Sequence, residues 1–556
     1  MKAFVWPKIF THKKILIVIF IIGTFFRFYN LNWDQGQFFH PDEYNILQSI
    51  EKISVPDGLD PQFYAYNGLN LYIDKILITG SDFLFPGNSS KTYNYAVVFR
   101  SLSALVSSIS IILIYYLGKE LKNRKVGLIA AFIFAFTPTL IQHAHFYVTE
   151  SMLIFLFLWL GLSSLRILQK NNFKNWILVS IPFGLSVGCK LSALSYIIIP
   201  FFTLIILITR SKNLKVKMNN ISRFSWFSFI SFLIFFAVSP YTLLNSTKFV
   251  QSAFGYENAV VQGTIKVPYT IQFEHTTPFV FQITNLFWQM GLFIPILGII
   301  GLFVWIYLIY LKKISINSLP FLFFGVLYFI YICTWYAKFI RYTLPSIPIF
   351  IISSSIFLYY IFTFKVKYVP SFVLKGMVLF MLFSTFIWSL MNMSIYFTKS
   401  TRISASEWIY QNIPNRSSIT GEAFDYTLPA SFGENGNTYS HDFLNVYEND
   451  SLDKMNRIAT QLSKSDYLII ASRRAYPNIQ KNNNTYPFTS NYYDQLFKGQ
   501  LGFEQIKEIN SYPSIGPIKI VDDNAEETFQ VFDHPRILIF KNILKLSKDQ
   551  LFDIIG

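Results

Sequence analysis

Long apolar runs separated by short polar segments dominate the chain as far as residue 396. Most runs are close to 20 residues long, the length that an α-helix needs to cross the hydrocarbon core of a bilayer. The pattern predicts about eleven membrane-spanning helices, at roughly 14–31, 93–118, 126–142, 148–165, 175–189, 191–209, 224–241, 283–311, 318–336, 342–364 and 370–396. The first run lacks a small-residue cleavage site, so we interpret it as a retained anchor.

The pattern changes after residue 397. Apolar runs shorten to strand length at 467–471 and 537–540, and helical patterns lie between them, as at 405–413 and 452–462. Such alternation predicts an α/β domain. The predicted fold class is therefore an α-helical polytopic membrane protein, residues 1–396, with a C-terminal α/β domain, residues 397–556. The membrane domain has two long loops, 32–92 and 242–282.

Composition and charge agree with this reading. Of the 556 residues, 52% are hydrophobic and only 14% are charged, far fewer than in soluble domains. The net charge of +16 comes largely from Lys and Arg in alternate loops. Since cytoplasmic loops carry the excess of positive charge, the N-terminus is predicted to be cytoplasmic and the C-terminal domain extracytoplasmic. We expect a multi-pass protein of the cell membrane with no nucleic-acid partner.

Unusual polar residues then collect on the outer membrane face. Two adjacent acids follow the first predicted span, and acids beside a span indicate function because they are costly there. The outer-face residues that we single out are Asp42, Glu43, His143, His145, Glu150, Lys190, Lys338 and Arg341. A transporter would place such residues at the membrane midplane. The distribution therefore favours a site at the outer leaflet.

Several segments resemble one family of membrane enzymes. The exit of the first span, Arg27-Phe-Tyr-Asn-Leu31, precedes Pro41-Asp42-Glu43, and Pro61-Gln-Phe-Tyr-Ala-Tyr66 follows. Further matches occur in this order: Arg100 with Tyr116-Leu-Gly118, then His145-Phe-Tyr-Val-Thr-Glu150, then Gly184-Leu-Ser-Val-Gly-Cys-Lys190, then Arg341-Tyr-Thr-Leu-Pro345. The chain resembles GT-C glycosyltransferases of the protein O-mannosyltransferase and aminoarabinose transferase family, which use polyprenyl-phosphate sugars.

The resemblance implies transfer of a sugar from a lipid phosphate to an acceptor hydroxyl on a protein, lipid or glycan. It implies that Asp42 is the general base and that Lys190 binds the donor phosphate. Glu43 is the second catalytic candidate. Further candidates for the phosphate are Arg341, Arg27 and Lys338, and the remaining site candidates are Glu150, His143, His145, Arg100 and Tyr66. Glu150 stands where the family usually has an aspartate.

No cofactor follows with certainty from the sequence. A divalent metal ion stays open, with Glu43, Glu150 and His145 as candidate ligands. Some relatives carry a glutamate after the first motif, and this chain has none near Asn67. This difference argues against a metal site like that of those relatives.

Each candidate has a structural alternative. Asp42 and Glu43 could cap a helix that begins near Tyr44, and Lys190 could extend from a span end to the lipid headgroups. Arg341 and Lys338 could bind headgroups as well. For His143 and His145 we favour hydrogen bonds to the backbone, because residues two apart do not share a helix face.

Two other functions stay open. One is a non-catalytic transporter or assembly protein for lipid-linked glycans. The other is an oligosaccharyltransferase-like enzyme acting on asparagine, but the outer domain lacks the Trp-Trp-Asp that this group carries.

Overall fold

The computed structural model describes residues 12–54, 58–84, 91–364, 369–431 and 438–556. The chain divides into two units. The first contains residues 1–32, 41–259 and 277–390, and the second contains residues 33–40, 260–276 and 391–556. The second unit thus begins close to the predicted boundary at 397, but it also takes in two short stretches from the predicted outer loops.

Helices account for nearly all of the first unit. Along the chain they are α1 (His12–Phe28), α2 (Pro41–Lys52), α3 (Gly68–Leu84), α4 (Lys91–Leu121), α5 (Arg124–Ala135), α6 (Pro138–His145), α7 (Thr149–Gln169), α8 (Phe173–Cys189), α9 (Ile198–Arg210), α10 (Leu214–Val238), α11 (Tyr241–Leu244), α12 (Ser246–Val250), α13 (Glu257–Gln262), α14 (Val280–Met290), α15 (Ile294–Tyr310), α16 (Leu319–Cys333), α17 (Ile347–Thr363) and α18 (Ser371–Phe397). Short 3₁₀ turns precede α9 and α17, at Leu191–Ile197 and Ile340–Ser346.

The described residues contain seven helices that are long and apolar enough to cross a membrane, or up to nine if each of two bent helix pairs forms one span. The bent pairs are α5 with α6 and α14 with α15. Helix α8 is also apolar but has 17 residues, as does α1. The protein is therefore a multi-pass helical membrane protein, as predicted, and the number eleven stays a prediction.

Two glycines of the Gly184–Lys190 motif bring helices together. A Cβ atom on Gly184 would lie 2.7 Å from the backbone oxygen of Ser231, and one on Gly188 would lie 2.3 Å from the Val238 side chain. Both contacts join α8 to α10. Small residues four apart allow this close approach of two helices, so the glycines of the motif serve packing.

The second unit is built on a mixed five-stranded sheet. Its strands are β1 (Ser418–Glu422), β2 (Ser440–Leu444), β3 (Tyr467–Ile470), β4 (Phe503–Ile509) and β7 (Ile537–Asn542), in the order β2-β1-β3-β7-β4. Strand β1 pairs in parallel with β2 and β3, and β7 is antiparallel to β3 and β4. The short strands β5 (Ser514–Ile515) and β6 (Ile518–Lys519) form a separate hairpin.

Helices cover both faces of the sheet, and its inner strands β3 and β7 are accordingly buried along nearly their whole length. Helix α19 (Thr401–Asn412) packs on one face against Ile419 and Ile469. The other face carries α20 (Leu452–Lys464), α21 (Tyr476–Lys481), α22 (Pro487–Phe497) and α23 (Lys548–Ile555). The predicted α/β domain is therefore confirmed, including both strands and both helices that the sequence indicated.

The two short stretches of the second unit have specific partners within it. The Phe39 ring lies 4.7 Å from that of Tyr426, and the Arg402 guanidinium is 5.4 Å from the Phe39 ring centre. In the other stretch, Gln272 donates a hydrogen bond of 2.8 Å to Glu526. Residues 33–40 and 260–276 are thus structural parts of this unit.

Candidate active site

Asp42 lies in the first turn of α2, directly after a proline at the first helical position. Its Oδ2 atom accepts a hydrogen bond of 2.7 Å from the Tyr66 hydroxyl and one of 2.6 Å from Nη1 of Arg341. The acids do occupy a helix N-terminus, as the capping alternative predicts. However, Asp42 also has partners from two distant segments, which a capping role alone does not require.

The backbone around Tyr66 is fixed to the end of α8. The Asn67 side chain donates to the Val187 carbonyl at 2.6 Å, and its backbone N–H donates to the Cys189 carbonyl at 3.1 Å. Lys190 is the residue that ends α8. Its ammonium lies 5.1 Å from the centre of the Tyr66 ring. The Tyr66 segment and the Lys190 motif therefore form one side of the site together.

Tyr66 is buried next to a carboxylate. Burial raises the pKa of the Tyr66 hydroxyl well above its usual value, and the charge of Asp42 raises it further. The hydroxyl is therefore protonated at neutral pH and donates its hydrogen bond to Asp42. Tyr66 orients the Asp42 carboxylate without competing with it for a proton.

Lys190 forms a second ion pair at the site. Its ammonium is 3.1 Å from Oε1 of Glu150, and the exposed fractions of the two side chains are 18% and 5%. Glu150 is in the first turn of α7, where a carboxylate is stabilised by the helix dipole. The charges of Arg341 and His143 also act on Glu150. Glutamate at this position is thus long enough to reach Lys190.

Arg341 comes from the 3₁₀ turn that precedes α17. Its guanidinium packs near the rings of Phe339 and Tyr342, at 5.1 and 5.8 Å from the ring centres. The Nε atom is buried and has no hydrogen-bond partner among the described residues, whereas Nη1 is bonded to Asp42. The side chains of Arg341 and Asp42 are 28% and 23% exposed. This pair is accessible to a ligand.

Glu43 enters a different network. It is fully buried and forms a two-pronged ion pair with Arg100, with distances of 2.9 and 2.6 Å. It also accepts a hydrogen bond of 2.6 Å from the Tyr147 backbone N–H. Arg100 in turn donates to the Leu31 carbonyl at 2.9 Å. The two adjacent acids of the motif therefore belong to different ion pairs. Asp42 is in the accessible pair with Arg341, and Glu43 is in the buried pair with Arg100.

Arg27 does not reach this cluster. It is fully buried and donates to Ser107, to the Gly23 carbonyl and to the carbonyls of Phe134 and Ala135 at the end of α5. Its hydrogen bonds are made to the helix bundle, so the predicted phosphate role of Arg27 is not carried forward. Arg100 is equally buried and committed to Glu43, so it is a structural partner of the motif.

Lys338 lies just before the 3₁₀ turn Ile340–Ser346 that carries Arg341. Its ammonium donates a hydrogen bond of 3.0 Å to the Tyr336 carbonyl. The same ammonium lies 5.8 Å from the centre of the Tyr336 ring. Only 6% of the residue is exposed. The hydrogen bond to Tyr336 does not bring Lys338 to the acids of the site, and its predicted contact with phosphate stays a prediction.

The candidate metal ligands do not converge. No group of three or more His, Cys, Asp or Glu that could hold a metal ion occurs in the part of the chain that the structure describes. Both ring nitrogens of His145 are 2.9 Å from backbone carbonyls, those of Ile141 and Tyr29. Backbone carbonyls therefore occupy both of the nitrogens through which His145 could bind a metal.

His143 shows the predicted backbone interaction as well. Its Nδ1 is 2.8 Å from the Thr139 carbonyl. With Glu43 bound to Arg100 and Glu150 bound to Lys190, the three candidate ligands are occupied by other partners. In the part of the chain that the structure describes, these three residues do not form a metal site, so we assign no step of a reaction to a metal.

Comparison with known proteins indicates the fold class. Residues 93–242 match a family described as dolichyl-phosphate-mannose-protein mannosyltransferase. No curated protein matches the chain. The crystal structure of the Archaeoglobus fulgidus oligosaccharyltransferase with a tethered acceptor peptide is similar, at 15% identity and a TM-score of 0.53, over 88% of this chain and 72% of that one. The chain has the fold of the GT-C glycosyltransferases.

Two other GT-C proteins are more distant. ArnT of Cupriavidus metallidurans, bound to undecaprenyl phosphate, is 10% identical over 96% of this chain and 98% of its own, with a TM-score of 0.44. The S. cerevisiae protein O-mannosyltransferase Pmt1–Pmt2 complex is 15% identical over 43% of this chain and 34% of its own, with a TM-score of 0.34.

The structure adds one residue to the candidate site of this GT-C fold. Glu257, in the first turn of α13, is near enough for the charges of Arg341, Lys190 and Asp42 to act on it. Burial, as the largest cause, raises the pKa of Glu257 above its usual value. From the sequence, Glu257 is a polar residue of the outer loop 242–282 to which we give little weight, because that loop has no spacing pattern.

Proposed function

We propose that the protein is a glycosyltransferase that moves a sugar from a polyprenyl-phosphate donor to an acceptor hydroxyl at the outer face of the membrane. The observation that supports this most is the cluster of two acids and two cations, Asp42 with Arg341 and Glu150 with Lys190, joined by Tyr66. The mannosyltransferase family match, residues 93–242, contains Glu150 and Lys190, which supports a lipid-phosphate donor.

Asp42 is the proposed general base. The acceptor oxygen forms a bond to the anomeric carbon of the donor sugar, and the bond from that carbon to the phosphate oxygen breaks. The electron pair leaves with the phosphate, and the acceptor proton goes to the Asp42 carboxylate. The products are the glycosylated acceptor and polyprenyl phosphate. Tyr66 and Arg341 hold the carboxylate in one orientation during this step.

Arg341 and Lys190 are the proposed phosphate ligands. A guanidinium carries several N–H donors, and Arg341 uses Nη1 for Asp42 while its side chain stays 28% exposed. Arg341 can therefore hold the base with one donor and a phosphate oxygen with another. Such donors stabilise the negative charge that develops on the leaving group. A bridging arginine also sets the distance between base and leaving group.

Glu43 has a supporting role in this proposal. Its buried ion pair with Arg100 holds the first turn of α2, and therefore Asp42, against the bundle. Its prediction as a catalytic residue stays open to the same experiment, because Glu43→Gln and Asp42→Asn remove one carboxylate each.

The test compares donors directly. The full-length protein in lipid nanodiscs is incubated with undecaprenyl-phosphate [³H]mannose or with the nucleotide-linked form of the same sugar, and a membrane extract of cells lacking the protein supplies acceptors. We expect label transfer from the lipid donor, and none in Asp42→Asn. Transfer from the nucleotide sugar alone, or transfer that Asp42→Asn leaves intact, would contradict the proposal.

Two alternatives give distinct results in this assay. An oligosaccharyltransferase-like enzyme, which the fold similarity to the Archaeoglobus protein keeps in view, would label protein through asparagine, and the label would resist mild alkaline β-elimination. A transporter or assembly protein would bind the lipid donor without transferring label. The sequence has no Trp-Trp-Asp, so we do not expect labelled asparagine, and the cluster of Asp42, Arg341, Glu150 and Lys190 leads us to expect transfer of label and not binding alone. The proposed orientation places the reaction outside the cell.

A further inference from the structure

A second group of polar side chains lies within the first unit, and Tyr147 connects it to the ion pair of Glu43 and Arg100. Asp74, on α3, is fully buried, and neither of its carboxyl oxygens has a hydrogen-bond partner of ordinary geometry among the described residues. The Tyr147 hydroxyl is buried as well and lies close enough to interact with Asp74 and Asn70. Asn70 accepts a contact of 3.0 Å from the Cys189 thiol. None of these residues takes part in the proposed reaction.

Burial determines the charge of Asp74. It raises the pKa of Asp74 well above the usual range, and the interaction with Tyr147 opposes it only in part. The Tyr147 hydroxyl is the group that stabilises the charged form of Asp74. Among the described residues no cation acts on Asp74. Cys189 and Tyr147 are the titratable groups that Asp74 affects in turn. An unpaired buried carboxylate is far more costly than the neutral acid.

Tyr147 connects this group to the candidate active site. It lies in the corner between α6 and α7, and its backbone N–H donates to Glu43 at 2.6 Å. Two residues later α7 begins, and Glu150 is in its first turn. The Tyr147 ring packs 4.7 Å from that of Phe99 on α4. The position of this one residue therefore affects both Glu43 and the ion pair of Glu150 with Lys190.

We propose that Asp74 is a positioning residue that fixes the Tyr147 corner and through it Glu43 and Glu150. A protonated carboxyl can donate and accept at once, so it can bond to the Tyr147 hydroxyl, whose other neighbour is Asn70. Its effect on turnover rests on the proposed function. Its protonation and its effect on the corner do not.

Infrared difference spectroscopy tests the protonation without any substrate. The wild-type protein in nanodiscs should show a carboxylic C=O band near neutral pH that Asp74→Asn removes. Thr79→Leu, on an exposed position of the same helix, is the matched control and should keep the band. A wild-type spectrum in which Asp74→Asn removes only a carboxylate band would overturn the proposal.

Hydrogen exchange and kinetics test the positioning. Asp74→Leu should speed exchange in the peptide that contains the Tyr147 amide and lower kcat on the order of 10²-fold, as displaced catalytic groups do. Undecaprenyl phosphate affinity should stay the same, since Lys190 and Arg341 are intact. Asp74→Asn, which keeps the size and can still donate and accept, should restore both readouts to near the wild-type values.

Two results would refute the positioning role. If Asp74→Asn is as damaged as Asp74→Leu, the acidic group itself is required. If Asp74→Leu lowers only the melting temperature and leaves exchange at the corner and kcat unchanged, Asp74 serves packing alone. A wild-type protein that transfers no sugar would remove the proposed function, while the infrared and exchange results would still decide on Asp74.

Discussion

Arg341 and Asp42 are 299 positions apart in the sequence, yet Nη1 of the guanidinium donates to Oδ2 of the carboxylate at 2.6 Å. The contact joins the first turn of α2 to the turn before α17. The same Oδ2 atom accepts from the Tyr66 hydroxyl. Two donors on one oxygen hold the carboxylate in a single orientation. The proposed base is therefore preorganised before any substrate binds.

Replacing Asp42 tests the base directly. Asp42→Asn keeps the size and the ability to accept from Tyr66, but an amide cannot take a proton. We expect sugar transfer to fall on the order of 10²–10⁴-fold, with undecaprenyl phosphate binding and the melting temperature nearly unchanged. Single-turnover transfer measures the rate. If Asp42→Asn is active and a well-folded Glu43→Gln is inactive, the base is Glu43.

The two proposed phosphate ligands should differ from each other. Lys190→Ala removes a charge-assisted contact worth about 1.5–3 kcal/mol, so we expect weaker binding of undecaprenyl phosphate, measured by native mass spectrometry. Exposed Lys212→Ala is a control that should bind normally. If Lys190→Ala binds undecaprenyl phosphate with unchanged affinity, Lys190 is not a phosphate ligand of the donor and instead extends to the lipid headgroups.

Arg341→Lys keeps the positive charge but loses the planar guanidinium that can bridge base and phosphate. We expect donor affinity to fall less than in Lys190→Ala, while kcat falls more, because the orientation of Asp42 is disturbed. Separate measurement of donor affinity and single-turnover rate distinguishes the two effects. Equal losses in both quantities would argue against a bridging role.

Glu43→Gln should act mainly through stability. Arg100 is fully buried, and removing the partner of a buried charge costs about 3–5 kcal/mol. We expect a clear fall in the melting temperature of Glu43→Gln. Replacement of both residues, in Glu43→Gln with Arg100→Met, should recover part of it, because no unpaired charge is left. A normal melting temperature for the single variant would show that the pair contributes little.

The second unit should show a pH dependence that Glu422 causes. Burial raises the pKa of Glu422 to about 8, above its ordinary value in an unfolded chain. As pH rises from that ordinary value towards 8, the unfolded chain releases the proton while the folded protein retains it. The folded state therefore loses stability across this window, and the loss is complete above pH 8.

Glu422→Gln should remove this loss, because an amide does not titrate and its oxygen can accept from Tyr493 as Glu422 does. We expect the variant and the wild type to be similarly stable near pH 4.5, and the variant to be more stable by over about 1 kcal/mol at pH 8. Exchange rates of the β1 peptide measure this. Exposed Glu504→Gln is the control, and a constant difference at all pH values would contradict the assignment.

Membrane orientation can be tested with single cysteines. Both native cysteines are buried, so background labelling by an impermeant maleimide should be low. We expect cysteine at the exposed positions Lys125 and Lys215 to be protected in intact cells, and cysteine at Asn484 to be labelled. Labelling at position 125 would invert the proposed topology and move the candidate site to the cytoplasmic side.

The sequence predicted the fold class and part of the site for different reasons. Apolar runs and loop charges report on the bilayer, a uniform solvent, so the helical membrane part could be predicted from composition and length alone. The pairing of Lys190 with Glu150 could not, because it depends on how α8 and α7 pack. The family motifs marked both residues without indicating that they are partners.

The separation of Asp42 from Glu43 was equally invisible in the sequence. Adjacent residues near a helix N-terminus point in different directions, and only the packing of α4 decides that Glu43 meets Arg100. Arg27 shows the converse. It is part of a matching motif, but the carbonyls at the end of α5 take its hydrogen bonds. Motif membership does not distinguish a ligand-binding arginine from a structural one.

The composition of the second unit has a practical consequence. Residues 33–40 and 260–276 belong to it together with 391–556, and Phe39 and Gln272 contact Tyr426 and Glu526. A chimera that exchanges only the C-terminal region between homologues would leave both short stretches facing a foreign surface. Substitutions in that surface will tend to be inherited together with changes in these stretches. The C-terminal region therefore cannot be exchanged alone. A working chimera requires that residues 33–40, 260–276 and 391–556 are exchanged together.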